Sequence, residues 1–308
     1  MSTHANALPK SFGPNMVAPQ VSSPVHPMYW SIRRELWESR SVYLAPLAAA
    51  AVALFGFMIS MTHFPAKLHE ILSLDPMKQQ HALVQPYEIA TALIMAAAFF
   101  VSIFYSLDAL YSERRDRSIL FWKSLPVSDL TTVLSKVSVP LLILPLLAYA
   151  IVVVTTAIML LMNAAALVGS NFTFAELWSR LGLVQSGMGL LYHLVTVHIL
   201  WYAPIYAWFL FISAWARRAP FLWAFLPPLA LAAFEKITFH TSYVAGLLQN
   251  RVAGGSDSSM DGSNFAANPH APMTPGTFLS EPGLWIGLLI AAALIAAAVR
   301  MRRYRDPV

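Results

Sequence analysis

Cysteine is absent and charge is scarce. None of the 308 residues is Cys, and only 11% are Asp, Glu, Lys or Arg against 57% hydrophobic. Without a thiol there is no disulfide, thiolate zinc site, iron–sulfur cluster or cysteine nucleophile, and cysteine usage says nothing about the redox compartment. An ordinary soluble domain is about a quarter charged, so the deficit excludes a soluble globular enzyme. A G-x-x-x-x-G-K-[ST] phosphate loop is missing, as is any Gly-Lys pair, and no nucleotide site of that kind is expected. No Ser/His/Asp or paired-carboxylate arrangement assembles along the chain, so no catalytic residue is assigned.

What is present is a series of apolar stretches of about 20 residues, the length that crosses a bilayer. Six spans are expected, at about 42–62, 87–111, 137–162, 187–215, 219–235 and 283–300, with boundaries good to about 3 residues. The expected fold class is therefore an all-α membrane protein, one transmembrane domain over 28–308. The fifth span is short and carries Pro227-Pro228, so it is read as either crossing or re-entrant. Residues 1–27 hold five prolines among Ser, Asn and Gln, a composition that does not fold alone. The first apolar run starts only near Val42, which argues against a cleaved secretory signal.

Six crossings put both termini on one side, and the basic residues choose which. With the amino terminus in the cytoplasm, the inner segments hold Lys10, Arg33, Arg34, Arg40, Arg114, Arg115, Arg117, Lys123, Lys136, Arg217, Arg218, Arg300, Arg302, Arg303 and Arg305. The outer segments hold Lys67, Lys78, Arg180, Lys236 and Arg251. Fifteen against five predicts a multi-pass protein of the cell (inner) membrane with both termini cytoplasmic. In a membrane protein the position of the charges matters more than their sum, so the net charge of +5 is not read as nucleic-acid binding.

Three segments carry candidate function. The first, PMYWSIRRELWESRS from Pro27, places Tyr29, Ile32 and Leu36 on one helical face with Trp30 and Trp37 beside it. Arg33, Arg34, Glu35, Glu38 and Arg40 fall mostly opposite. This is the pattern of an amphipathic helix lying in the membrane interface; the alternative is a cytoplasmic extension of the first span.

The second is the inner loop 112–136, where basic and acidic residues flank Ile119, Leu120, Phe121 and Trp122. A solvated turn has no use for four large apolar side chains in a row. Such a helix either docks in a partner's groove or packs on the inner leaflet and the span ends. Pro126 then pushes Leu125 out of the helical region, and Ser128 is placed to cap a new helix from Asp129. The loop reads as helix, corner, helix.

The third is the fourth span, with His193, His198, Tyr202 and Tyr206. The two histidines, five residues apart, lie about 140° apart on a regular helix, which argues against a joint metal site, and H-x-x-x-x-H is not the i, i+4 pair of zinc proteases. No metal site is expected. These four residues are candidates for a translocation path, with satisfied or interfacial packing as the alternative for the histidines and lipid-facing or belt positions for the tyrosines. Glu88 and Asp108 sit near the two ends of the second span. Glu235-Lys236 is either a gate pair or a water boundary. The last outer loop, 236–282, begins with ITFHTSYVAGLLQNRV, apolar enough to dip back into the outer leaflet.

The inner loop resembles the cytoplasmic loop between the second and third spans of the type-two ABC permeases. It has an acidic-basic pair (Glu113-Arg114), a short apolar helix (Ile119 to Trp122), a Leu-Pro-Val-Ser corner (Leu125 to Ser128) and a following Lys136. That family often has Gly where Arg117 stands. The six-span layout, the helix before the first span and the long last outer segment fit as well. The resemblance implies a coupling helix, with Glu113, Arg114, Arg117, Ile119, Leu120, Phe121, Trp122, Lys123, Leu125 and Pro126 at the contact with a separate ABC ATPase subunit. It further implies that the amino-terminal helix touches that ATPase, that a second permease subunit, identical or related, pairs with this one, and that ATP and Mg are bound by the ATPase alone. The chain itself would be no enzyme and carry no cofactor. The rival expectations are a proton-coupled secondary transporter using Glu88, His193 or Glu235, and a membrane anchor or regulator without transport.

Overall fold

The structure is a computed structural model describing residues 27–61, 75–119, 121, 127–166, 174–253 and 279–304. The described part is all-helical, without a strand, and six of its helices are long and apolar enough to cross a membrane. The chain is thus a multi-pass helical membrane protein.

Helix α1 (Pro27–Glu38) precedes α2 (Ser41–Met61), the first span. Helix α3 (Pro76–Asp108) and the short α4 (Tyr111–Arg115) form the second. Helix α5 (Asp129–Ser138) runs through a π-helical turn (Val139–Ile143) into α6 (Leu144–Ala166), the third. Helices α7 (Phe174–Leu181) and α8 (Leu183–His193), a second π-helical turn (Leu194–Trp201) and α9 (Ala203–Trp215) follow. Then come α10 (Pro220–Phe239), α11 (Tyr243–Ala253) and α12 (Pro282–Tyr304). The masses of apolar side chain facing away from the core, Val52, Leu229 and Leu289 among them, belong to lipid rather than to water.

Several expected boundaries move. The second span begins 11 residues earlier than sequence patterning suggests, because Tyr87 and Leu83 are buried in a satellite core with Phe57, Met159 and Leu181. At 33 residues, α3 is about 50 Å long, more than the roughly 30 Å of hydrocarbon. The expected single fourth span is interrupted at Tyr202: the apolar crossing candidate is Trp178–Trp201, and Ala203–Trp215 is a separate, shorter helix. Pro204, at the second residue of α9, cannot donate the backbone bond that would continue the preceding turn. The fifth span is an unbroken helix through Pro227 and Pro228, a tolerance typical of membrane helices.

The main core is built where α9 packs along α12 and against α3, α5 and the first π-helical turn, around Trp201, Tyr206, Leu210, Leu144 and Leu284. Small residues at the contacts, such as Ala148, Ala207, Ala291 and Ala298, each almost fully buried, let the backbones approach closely. Ser128 caps α5, its hydroxyl accepting from the Thr131 N–H at 3.1 Å.

Candidate functional site

The end of the bundle that carries both termini of the described chain holds a buried ion cluster. Five elements meet there: α1, the end of α3, α4, α5 and the last turn of α12. Helix α1 packs on α5 with Glu35 turned inward, 2% exposed. Its carboxylate accepts from Lys136 Nζ at 2.9 Å and from the Tyr105 hydroxyl at 2.9 Å, and lies 2.7 Å from the Arg34 guanidinium. Lys136 also reaches Glu113 Oε1 at 3.1 Å, and Arg34 reaches the same oxygen at 3.3 Å. The other Glu113 oxygen accepts from Arg302, whose Nε bonds Asp129 at 3.0 Å.

Three carboxylates, Glu35, Glu113 and Asp129, therefore face three cations, Arg34, Lys136 and Arg302. Glu38 stands at the rim, 3.6 Å from Arg34. Its carboxyl is held above the ordinary carboxylate range by partial burial, which outweighs the nearby Arg34. An unpaired charge in such a place is strongly unfavourable, and pairing with hydrogen bonds on every partner offsets that. Through Glu113 the cluster joins Arg34 and Arg302, sequence positions about 270 residues apart.

Beside it, Arg114 is buried and donates to the carbonyls of Ser213 and Ala216 at 2.6 and 2.7 Å. The Ser213 hydroxyl in turn accepts from the Leu110 and Tyr111 N–H groups at 3.0 and 2.9 Å. Arg114 thus occupies the carbonyl end of α9, where a cation complements the helix dipole. The start of the inner loop is in this way fixed to α9 and α12, and its end, through Lys136 and Asp129, to α1 and α12.

The loop between is only partly described. Arg117 takes φ 56°, the left-handed region in which a side chain is disfavoured and Gly is not. Ile119 is buried at 2% exposure while Phe121 is 61% exposed, so the apolar run does not present one uniform face. Leu120, Trp122, Lys123, Leu125 and Pro126 lie outside the described residues, as do residues 1–26.

In α1 the polar and apolar sides differ from expectation. Glu35, expected opposite the apolar face, is the residue that enters the protein with Ser31, because Lys136 and Tyr105 await it. Leu36 packs partly on the core, Ile32 is half-buried, and Tyr29, Trp30 and Trp37 are exposed.

The fourth-span candidates are brought together in part. His198 Nε2 lies 3.2 Å from the Pro140 carbonyl, so the second π-helical turn leans on the first. Its ring packs on Tyr202 and Tyr206 at 5.4 and 5.6 Å. His193 is exposed and outside this group. The π-helical turn that follows His193 makes the regular-helix angle between the histidines inapplicable. The Tyr202 hydroxyl donates to the Val252 carbonyl at 3.0 Å and the Trp201 indole to the Arg251 carbonyl at 3.1 Å, which ties α11 back onto the fourth span. Arg251 completes this tie, its guanidinium 4.3 Å from the Trp201 ring centre and bonded to the Gly283 carbonyl at 3.1 Å.

Glu235 accepts from Thr241 Oγ1 and from the N–H groups of Tyr243 and Val244 at 2.6 to 2.7 Å. It caps the first turn of α11; no ion pair with Lys236 is formed among the described residues.

Glu113, Arg114 and Lys136 stand out in the sequence pattern, whereas Glu35, Tyr105, Asp129 and Arg302 join the site only through helix packing. One signal was available: Lys136 and Arg302 stand on helices that run straight into apolar spans, where a lone cation demands an anion nearby. Compared with protein-family models, curated proteins and solved structures, the chain has no significant match.

Proposed function

We propose that this chain is the transmembrane subunit of an ATP-driven ABC exporter, coupling hydrolysis by a separate ATPase subunit to movement of a substrate across the membrane. The observation that carries the reading is the ion cluster. Both ends of the inner loop, Glu113 and Lys136, are fastened to one another and to Glu35 and Arg302. A loop whose ends are clamped to the first and last helices is suited to transmit force, because displacement of the loop cannot be absorbed by slack at its roots.

In this reading the ATPase seats the loop from Arg117 to Pro126, with the exposed Phe121 among the contacts, and two permease subunits work with two ATPases. Closure of the ATPases on ATP and Mg moves the loop, and the clamp passes that motion to α1, α5 and α12. The π-helical turns in the third and fourth spans, joined by His198 and Pro140, are the natural bending points above it, since such turns interrupt the regular bonding ladder. His198, Tyr202 and Tyr206 then border the path, and α11 closes its far end. Both termini and the cluster face the cytoplasm, in line with the distribution of basic residues.

A proton-coupled transporter is the rival. One observation weighs against its use of Glu235: three donors already hold that carboxylate at the start of α11. The test is reconstitution of the full chain, alone and with any ATPase subunit that co-purifies with it. Export that requires ATP and is indifferent to a pH gradient supports the proposal; export driven by the gradient alone overturns it.

A further inference from the structure

The helix that turns Glu35 inward turns a different stripe outward. Tyr29, Arg33 and Trp37 follow one another along α1 at four-residue spacing, with Trp30 alongside, so all four share a face. Tyr29, Trp30 and Trp37 are 58%, 55% and 69% exposed. The Arg33 guanidinium lies 5.3 Å from the Trp30 ring centre and 4.7 Å from that of Trp37, within cation–π range of both.

The charge on this face is of one sign. Among the described residues no carboxylate lies within ion-pair distance of Arg33. Both acids of α1 are engaged elsewhere, Glu35 in the cluster and Glu38 beside Arg34. Only Ser39 and Arg40 separate α1 from the first span; Arg33 is half-buried and Arg40 is exposed. Covalent continuity with a membrane-crossing helix holds the stripe at the bilayer boundary, where indoles favour the headgroup level.

We propose that Trp30, Arg33 and Trp37 form a binding site for the headgroup of an anionic phospholipid. A guanidinium offers paired N–H donors that match phosphate oxygens. Flanked by the two indoles, the half-buried guanidinium is partly desolvated, which strengthens its attraction for a phosphate. Apolar ring faces on either side accept the glycerol and upper acyl carbons. A zwitterionic headgroup brings its own cation and gains less from this arrangement; an anionic one gains the full attraction. The inference rests on the membrane-spanning reading and not on the ATPase coupling.

The test uses the full chain, taken from bilayers of equal phosphatidylcholine and phosphatidylglycerol and examined by native mass spectrometry for retained lipid. The wild type is expected to retain phosphatidylglycerol over phosphatidylcholine about fivefold, the order expected for one basic residue near an anionic surface. Arg33→Gln should bring the ratio close to one, and the Trp30→Leu/Trp37→Leu pair should lower it, while Arg180→Gln at the other end leaves it unchanged. An equal ratio in the wild type, or a preference that survives Arg33→Gln, overturns the proposal. So does a Trp37→Cys label site, in this chain otherwise free of cysteine, that an added ATPase subunit shields from maleimide while the bilayer does not. Resistance of each variant to alkaline extraction from the membrane is measured in the same samples: lost preference with intact insertion bears on the lipid site, whereas lost insertion would count against the membrane-spanning reading itself.

Discussion

Lys136 Nζ lies 2.9 Å from Glu35 Oε1 and 3.0 Å from Oε2, joining the helix before the first span to the helix that leads into the third. Both side chains are at most 3% exposed, so neither has water as a substitute partner. Lys136→Met leaves Glu35 and Glu113 short of a cation, and a loss of about 3–5 kcal/mol is expected. Thermal unfolding in detergent measures it. The double variant Glu35→Gln/Lys136→Met should be less destabilised than the two single changes added together; strict additivity would show that the pair does not act as a unit.

Arg302→Met is expected to separate stability from folding topology. It removes the cation shared by Glu113 and Asp129, while α12 still packs on α9 through Leu284, Ala291 and Ala298. The expected result is a retained helical spectrum with faster hydrogen exchange at α4 and the start of α5. Unchanged exchange there would mean that the cluster does not hold the loop roots.

Arg117→Gly relieves a residue held at φ 56°. A left-handed conformation disfavours a side chain by about 1–2 kcal/mol, and part of that returns as stability, offset by the greater freedom of Gly in the unfolded chain. A rise of a few degrees in melting temperature is expected, and a fall would show that the Arg117 side chain contributes more than its backbone costs.

Glu38→Gln carries a pH signature. Burial raises the Glu38 carboxyl above its ordinary value, so the folded state disfavours the carboxylate form relative to the unfolded chain. The stability that protonation contributes is present below the unfolded value and lost as pH rises through the folded one. Glu38→Gln should therefore raise the melting temperature at pH 7 and make little difference near pH 4. The reverse order would assign Glu38 a net favourable pairing with Arg34.

Gly287→Ala probes the far end. A Cβ at Gly287 would overlap the Arg251 guanidinium, which is the flexible end of that side chain. Arg251 is expected to leave the Trp201 ring, and α11 amides to exchange faster, without change at the ion cluster. Equal exchange in α11 would mean that the Trp201 and Tyr202 hydrogen bonds hold it unaided.

The overall fold was legible in the sequence because membrane spans are set by length and apolarity, and α2 and α12 fall within a few residues of expectation. What was not legible depends on tertiary partners. The break at Tyr202 hides in an apolar run from Leu183 to Trp215, where hydropathy is blind to a lost backbone bond. Glu35 looked solvent-facing because periodicity groups charges together, yet Lys136 and Tyr105, 70 to 101 residues away, draw this one inward. The Glu113-Arg114 pair and Lys136 stood out as a pattern, but that Glu113 and Lys136 bond one another, and that Arg302 joins them, follows only from how the helices pack.

The proposed function has an ATPase act on the loop clamped by Glu113 and Lys136, and Phe121 is an exposed apolar side chain of that loop among the described residues. The direct measurement is substrate-stimulated ATP hydrolysis by the reconstituted complex carrying Phe121→Ser, compared with wild type at matched melting temperature. Loss of an exposed aromatic anchor is expected to lower ATPase affinity or stimulation about tenfold or more. Hydrolysis and co-purification unchanged by Phe121→Ser, and unchanged again when Trp122 is also replaced by Ser, would contradict the account.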